Sequence, residues 1–287
     1  MSIAKVLVPV SGVPSDSVAI NAALVAAVPF AAHVQALFVP PDPRLSIPYV
    51  GTPVSPSALD SVMKSLEELN QQASARARQT LTMAAKGQDV TVAASPKKLD
   101  RVSCSFREDK GFFALRTGRY ARLSDLVVFA SLPNDTFSEA NEAFVETLIR
   151  TERPVLIAPR APATLTNTIS IAWDGGIPCA HAMTAALPFL KHAGQVELLE
   201  VEPLTGNGLT VSEAQEYLSL HGVPTSVRIV KREKHSTAEV LLHEAAAGGA
   251  SLLVMGGYGH NRFAETIFGG VTTHIKWHAT LPVLMSH

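Results

Sequence analysis

An internal repeat constrains this chain more than any other feature of its sequence. Four short segments of the first half recur in the same order in the second half. The matched pairs are "AKVLVPVSG" (4–12) with "ISIAWDGG" (169–176), "HVQALFVPP" (33–41) with "QVELLEVEP" (195–203), "SDLVVFAS" (124–131) with "ASLLVMGG" (250–257), and "RPVLIAP" (153–159) with "LPVLMSH" (281–287). A repeat at this scale marks two copies of one structural unit, so the sequence predicts a tandem fold.

Each copy has the pattern of a doubly wound α/β domain. Short apolar strands alternate with longer segments of helical period, which is typical of a parallel sheet with crossover helices. Residues 15–27 predict the first helix, and residues 178–192 predict its equivalent, with Pro188 as a kink near its end. We therefore predict two tandem α/β domains, 1–160 and 167–287, joined by a short proline-containing linker.

The first copy is longer because it carries an insert at about 40–87. The insert starts as a proline-rich loop, and a long helix follows, with the capping sequence Ser57-x-x-Asp60 at its start and an end before Gly87. The predicted apolar face of this helix carries Leu59, Val62, Met63, Leu66 and Leu69. An insert of this length is either a decoration of the domain or a surface for a partner, and both interpretations stay open.

A glycine-rich segment of the second copy predicts a site for an anion. Residues 252–255 form an apolar strand that runs into Gly256-Gly257, and Gly269-Gly270 opens a segment of helical period at 271–278. Free amide groups and the positive end of the dipole at a helix start attract anions. Ligands in open α/β sheets bind at the C-terminal ends of the strands, so we expect phosphate groups here.

This segment resembles the nucleotide-binding signature of the universal stress protein family. The shared pattern, between "LLVMG" and "LPVLM", is Gly256-x-x-Gly259, nine residues, then Gly269-Gly270-Val271-Thr272. The spacing agrees throughout, but the family usually has Ser or Thr directly after the third signature glycine, where this chain has Gly270. A hydroxyl group that would face the phosphates is therefore absent, while the backbone donor remains.

The resemblance implies a fold and a ligand. Members have doubly wound, Rossmann-like domains that pair through their last strands, which implies an intramolecular pseudo-dimer with its seam between 156–158 and 283–285. The implied cofactor is ATP or another adenine nucleotide, with or without Mg²⁺. Asp174 would contact the adenine or ribose, and Val201 would meet the adenine through its backbone. The base pocket would also be lined by Ala172 and Met255.

The resemblance also assigns the rest of the site. The ribose and phosphates would be held by Gly256, Gly259, Gly269, Gly270, Val271 and Thr272. Two residues of the same loop, His260 and Arg262, either add positive charge to the outer phosphates or lie in solvent.

The first copy lacks these features. Ser11 stands at the position of Asp174, and residues 130–133 (ASLP) replace the glycine loop. The segment 131–146 contains no Lys or Arg, and its carboxylates, which would oppose a phosphate, are Asp135, Glu139, Glu142 and Glu146. We therefore predict one nucleotide site per chain, with the first domain as a structural pseudo-partner.

Composition excludes several other classes of protein. The net charge is −1, and the aromatic content of 6% is not interleaved with basic residues, so we expect no binding to nucleic acid. No apolar run reaches the roughly 20 residues that span a bilayer. The N-terminal "MSIAKVLVPV" lacks the long apolar core of a signal peptide, so we expect a cytoplasmic location.

The remaining candidate groups predict no metal site and no active site. Cys104 and Cys179 are far apart in sequence and are expected to be free thiols. His274 and His278 have a spacing that can bind zinc from one helix, but no third ligand is close in sequence. No motif pairs a nucleophile with a base, so we predict no catalytic residue.

We therefore expect a stress-linked sensor or regulator in which an adenine nucleotide sets the surface presented to a protein partner that the sequence does not identify. Two alternatives stay open. In one, the chain is a scaffold that has lost nucleotide binding and acts through protein contacts. In the other, weaker one, it is a slow ATPase. Further pairing of chains into a homodimer is also left open.

Overall fold

A computed structural model describes residues 2–41, 56–96, 100–202, 208–258 and 270–287. The strands of the first half are β1 (Lys5–Val10), β2 (His33–Phe38), β3 (Thr91–Val92), β4 (Ser103–Glu108), β5 (Leu126–Ala130) and β6 (Val155–Ala158). Its helices are α1 (Asp16–Ala27), α2 (Pro56–Gly87), α3 (Phe113–Ala121) and α4 (Glu139–Val145), with a 3₁₀ turn at Val28–Phe30 and a π-helical turn at Glu146–Arg150.

The second half repeats the alternation of strands and helices. Its strands are β7 (Thr168–Trp173), β8 (Gln195–Glu202), β9 (Ser226–Lys231), β10 (Leu252–Gly256) and β11 (Val283–Ser286). Its helices are α5 (Ile177–Leu190), α6 (Val211–Leu220), α7 (Thr237–Ala247) and α8 (Gly270–His278).

The described strands form one sheet in the order β3-β4-β2-β1-β5-β6-β11-β10-β7-β8-β9. Neighbouring strands are parallel within each half, and the two halves meet where β6 and β11 pair antiparallel, with Leu156 opposite Leu284. This order confirms two tandem doubly wound units that pair through their last strands, as the sequence predicts. The domain bounds 1–160 and 167–287 stay a prediction.

Helices cover both faces of the sheet. One buried apolar cluster joins the sheet to α1, α2, α5 and α6, and a second joins it to α3, α4, α7 and α8. Alternate residues of a strand point to opposite faces, so Val6 and Val8 enter the first cluster and Leu7 enters the second. The strands are apolar throughout because both faces are covered.

The predicted first and last residues of the helices agree with the structure to within two residues. The packing of α2, however, differs from the prediction. The helix begins at Pro56, so Ser57 lies inside the first turn and is not the residue before it. The predicted apolar face is largely exposed: Leu59, Val62 and Leu69 are 39%, 46% and 56% exposed. The residues of α2 that are buried lie further along, at Ala77, Leu81 and Ala85.

The position of α2 on the sheet explains why its predicted apolar face is exposed. The C-terminal part of α2 packs on α1 and on the strands of the first half, whereas the predicted face precedes that contact. Small residues such as Ala77 are buried because a neighbouring element lies close to them, and hydrophobic periodicity alone does not indicate which turns of a long helix will find such a neighbour. The proline-rich loop predicted ahead of α2 lies mostly outside the described residues. Within the described ranges, no helix is long and apolar enough to cross a membrane.

Candidate functional site

A cavity of about 330 Å³ lies at the C-terminal ends of β7, β8 and β10. Its walls come from the strand ends, from the starts of α5 and α8, and from α7. The lining residues are Ala172, Trp173, Asp174, Pro178, Cys179, Val201, Thr237, Leu241, Met255, Gly256, Gly270, Val271 and Thr272. Most of these side chains are apolar, and the volume falls in the range of about 300–1,000 Å³ that small-molecule sites occupy.

Eight of the twelve residues proposed from sequence line this cavity: Ala172, Asp174, Val201, Met255, Gly256, Gly270, Val271 and Thr272. The other four, Gly259, His260, Arg262 and Gly269, lie outside the described residues. Five further lining residues were not predicted from the sequence: Trp173, Pro178, Cys179, Thr237 and Leu241. Pro178 and Cys179 open α5, directly after the Asp174 turn, and their position next to Gly256 results from the sheet order.

A tight turn at the end of β7 presents the Asp174 carboxylate. Its Oδ1 accepts a hydrogen bond of 2.8 Å from the Gly176 amide, and the side chain is exposed. Gly175 has φ of +73°, and a Cβ there would collide with the backbone of Leu209. The Trp173 indole donates to Leu209 O at 3.0 Å. The segment before α6 therefore holds this turn in place, and the turn requires glycine.

The two signature glycines that the structure describes have different surroundings. A Cβ on Gly256 would lie 2.7 Å from the Cys179 amide nitrogen and 2.8 Å from the Pro178 carbonyl carbon. The start of α5 can therefore pack on the end of β10 only because residue 256 has no side chain. A Cβ on Gly270 would meet no described atom within 4 Å. Among the described residues, close packing therefore constrains Gly256 and not Gly270.

Thr272 links the loop after β10 to the first turn of α8. Its Oγ1 accepts a hydrogen bond of 3.1 Å from the amide of Tyr258, and the residue is 4% exposed. Tyr258 has φ of +55°, a left-handed conformation that is uncommon for a residue with a side chain. The Thr272 hydroxyl therefore positions the loop, and it retains a proton that it can donate.

Cys179 is a neutral wall of the cavity. Its thiol donates to Ala172 O at 3.4 Å. Burial, together with the negative charge of the nearby Asp174, raises the pKa of Cys179 to about 12. The thiol therefore stays protonated near pH 7.

Cys104 is also buried, which raises its pKa to about 11, and both cysteines are free, as predicted.

Two helix starts border the cavity. α8 begins at Gly270, and α7 begins at Thr237 behind a capping box in which the Ser236 hydroxyl accepts from the amide of Glu239. None of the described lining residues is Lys or Arg. Within this part of the chain, attraction of an anion therefore depends on backbone amides and helix dipoles.

The corresponding turn of the first half is blocked. Gly12 has φ of +78°, as Gly175 does, and in each half the fourth residue after this glycine lies in the first helix. In the second half that residue is Cys179, and in the first half it is the buried Asp16. The Asp16 carboxyl group accepts from the amides of Ser11 at 3.2 Å and Gly12 at 2.7 Å. The backbone amides of this turn therefore already have an acceptor within the protein.

The histidine pair of α8 does not lie in the cavity lining. The rings of His274 and His278 stack with centroids 4.2 Å apart, and His278 Nδ1 donates to His274 O at 2.9 Å. Over the described ranges, no group of three His, Cys, Asp or Glu side chains is placed to hold a metal ion.

The fold and the cavity define a class of protein: a doubly wound α/β pair with a small-molecule pocket at the strand ends of one member. A sequence model of the universal stress protein family matches residues 192–287, the region that contains β8 to β11. The resemblance seen in the glycine signature is confirmed. No curated protein sequence matches the chain.

Solved structures extend the likeness to both halves. A universal stress protein from Archaeoglobus fulgidus matches 98% of this chain and 94% of its own, with a TM-score of 0.63 and 14% identity. A universal stress protein from Pseudomonas aeruginosa matches 98% of this chain and 92% of its own, with a TM-score of 0.57 and 14% identity. At these identities the two matches show a shared fold. Another universal stress protein, solved in complex with cAMP, matches 43% of this chain and 99% of its own, with a TM-score of 0.35 and 17% identity.

Proposed function

We propose that the second half binds an adenine nucleotide in the cavity at the ends of β7, β8 and β10, and that the chain acts as a nucleotide-dependent regulator. The observation that carries this proposal is that residues distant in sequence come together around one cavity. Residues as far apart in sequence as Ala172 and Thr272 line one cavity, together with Val201 and Met255. These are the residues that the family signature assigns to a nucleotide.

The chemistry of the walls supports a base at one end and phosphates at the other. Val201, Leu241 and Met255 offer apolar surface for the faces of a purine ring. β8 extends past the last residue of β7, since Trp173 pairs with Glu200, which leaves Val201 at the edge of the cavity. An exposed carboxylate such as Asp174 can accept hydrogen bonds from ribose hydroxyl groups. The start of α8 provides amides for the phosphates.

One site per chain follows from the difference between the halves. In the first half the buried Asp16 carboxyl group accepts hydrogen bonds from the amides of Ser11 and Gly12, and the buried side chains of Val39 and Leu132 belong to the apolar cluster that also contains residues of α3 and α4. A nucleotide in the equivalent place would have to displace these contacts. We therefore assign to the first half a structural role as partner of the second.

A nucleotide that stays bound through purification would provide the first test. The protein is denatured, any released nucleotide is identified by mass, and the emptied protein is titrated with ATP, ADP and AMP by calorimetry. We expect one site per chain. No retained nucleotide and no binding at millimolar concentration would refute the proposal.

A matched pair of variants assigns the site. Asp174→Asn removes the charge of the cavity carboxylate, and Asp135→Asn does the same at a similar turn of the first half, where Oδ1 accepts from the Phe137 amide at 3.0 Å. We expect Asp174→Asn to weaken binding about tenfold, the scale of one hydrogen bond to a charged group, and Asp135→Asn to leave it unchanged. Equal effects of the two variants would place the site elsewhere.

One observation favours a second candidate, a scaffold that does not depend on nucleotide. The described lining contains no Lys or Arg, and Gly270 replaces the hydroxyl-bearing residue that is usual in the family. In this case the titrations would show no binding, and the function would depend on the protein surface alone.

A further inference from the structure

A second cavity, of about 540 Å³, lies between α3 and α4 of the first half. These helices correspond in chain order to α7 and α8, because α3 precedes β5 as α7 precedes β10. Three of its large apolar residues are exposed: Phe112 by 58%, Leu115 by 58% and Phe137 by 86%. Aromatic and aliphatic side chains grouped at the mouth of one groove are typical of a protein interaction site, whereas single exposed apolar residues are not.

The charges of this groove are predominantly negative. Its ionisable lining residues are Glu139, Glu142, Glu146 and Arg150. Glu146 and Arg150 form an ion pair at 3.3 Å, so their charges offset each other. The exposed side chains of Glu139 and Glu142 make no ion pair within the described residues. Two carboxylates are thus left to face a partner across the apolar surface.

We propose that the groove between α3 and α4 binds a segment of another protein in which large apolar residues are flanked by Lys and Arg. Apolar anchors would fill the space around Phe112, Leu115 and Phe137, and cations would meet Glu139 and Glu142. Apolar anchors supply most of the affinity of such contacts, while complementary charge selects the partner. An anionic membrane or an acidic peptide would be repelled by the same carboxylates.

The shape of the groove is held by Asn141, which lines it. The Asn141 side-chain amide donates to Pro133 O at 2.8 Å and to Asp135 O at 2.6 Å, which fixes the loop that carries Phe137. Its Oδ1 accepts a hydrogen bond of 2.6 Å from Lys276 of α8. A groove that is already ordered loses little conformational entropy on binding, which favours a short peptide as ligand.

The test uses two fluorescein-labelled 14-residue peptides, one built of Leu and Lys and one of Leu and Glu, titrated against the full chain by fluorescence anisotropy. Phe137→Ser removes an apolar anchor, and the double variant Glu139→Lys/Glu142→Lys reverses the charge. Their controls are Leu123→Ser, at a residue 84% exposed outside the groove, and Glu216→Lys, at an exposed carboxylate of α6. All five positions are exposed, so the four variants should fold.

The wild-type chain should bind the Leu/Lys peptide and not the Leu/Glu peptide. Each groove variant should bind the Leu/Lys peptide about tenfold more weakly, while each control stays within about twofold. The charge-reversed variant should gain affinity for the Leu/Glu peptide. Equal losses in groove and control variants, a wild type that binds both peptides alike, or no binding at millimolar concentration would overturn the proposal. Binding to anionic vesicles that Phe137→Ser abolishes, without peptide binding, would also overturn it.

Discussion

The buried contact between Lys276 and Asn141 joins the two halves of the chain. Lys276 lies in α8 and is 2% exposed, and Asn141 lies in α4 and is 1% exposed. Lys276 Nζ donates to Asn141 Oδ1 at 2.6 Å, and burial lowers the pKa of Lys276. The Asn141 side-chain amide also holds the carbonyl groups of Pro133 and Asp135. One amide side chain therefore ties α8 to a loop of the other half.

We expect Asn141→Leu, which keeps the size of the side chain and removes its polar atoms, to destabilise the chain by about 2–4 kcal/mol. The largest part of this loss comes from the hydrogen bond donated by the charged Lys276, which contributes about 1.5–3 kcal/mol. The two bonds to carbonyl groups of exposed residues add up to about 1 kcal/mol, because water replaces them in part. The free energy of unfolding is measured by urea titration at pH 7.

A double-mutant cycle separates this contact from simple loss of packing. Lys276→Met removes the ammonium group and its desolvation cost, so it should destabilise less than Asn141→Leu. The double variant should recover part of the loss of Asn141→Leu, with a coupling of about 1 kcal/mol or more. If Asn141→Leu costs less than about 1 kcal/mol, or if the two changes are additive, then the hydrogen bond does not stabilise the pairing of the halves.

Three further predictions concern single residues. Gly270→Ser should strengthen nucleotide binding about tenfold in the calorimetric titration, because a Cβ there would meet no described atom within 4 Å and a hydroxyl would face the phosphates; Gly270→Ala, which adds no hydroxyl, should not. Gly256→Ala should lower the free energy of unfolding by about 1–3 kcal/mol, since its Cβ would lie 2.7 Å from the Cys179 amide nitrogen, and an unchanged urea midpoint would contradict this packing. Burial and the charge of Lys5 lower the pKa of His33, so the unfolded chain takes up a proton first and stability should fall as pH drops below about 6.5. His33→Gln should flatten that part of the pH profile, and an unaltered slope would assign it to other groups.

The seam between the halves was predictable from local sequence and resemblance together. The strand-like segments at 156–158 and 283–285 stand at equivalent places in the repeat, and the structure pairs them antiparallel. Strands covered on both faces must be apolar along their whole length. An apolar run between turn residues therefore predicts such a strand from local sequence alone.

Other features depend on contacts between distant segments, and their sequence carries no local signal. Leu59, Val62 and Leu69 form an apolar face, yet the structure leaves them largely exposed, because only the later turns of α2 meet the sheet and α1. Lys276 lies in an otherwise ordinary helix segment, and its burial against Asn141 follows from the antiparallel meeting of the two halves.

The candidate site depends both on local sequence and on contacts between distant segments. The glycine spacing is visible in the sequence because turns and helix starts demand particular residues at fixed offsets, whereas Asp174 was predicted from the family resemblance. The role of Cys179 and Leu241 as walls is not visible, because side chains enter a cavity according to strand order and helix placement. Residues 4–12 and 169–176 are similar in sequence, yet Asp16 takes the amides of one turn while Cys179 lines a cavity beside the other. Local sequence therefore accounts for the repeated fold and for the position of the candidate site, and long-range packing accounts for the different surroundings of the two equivalent turns.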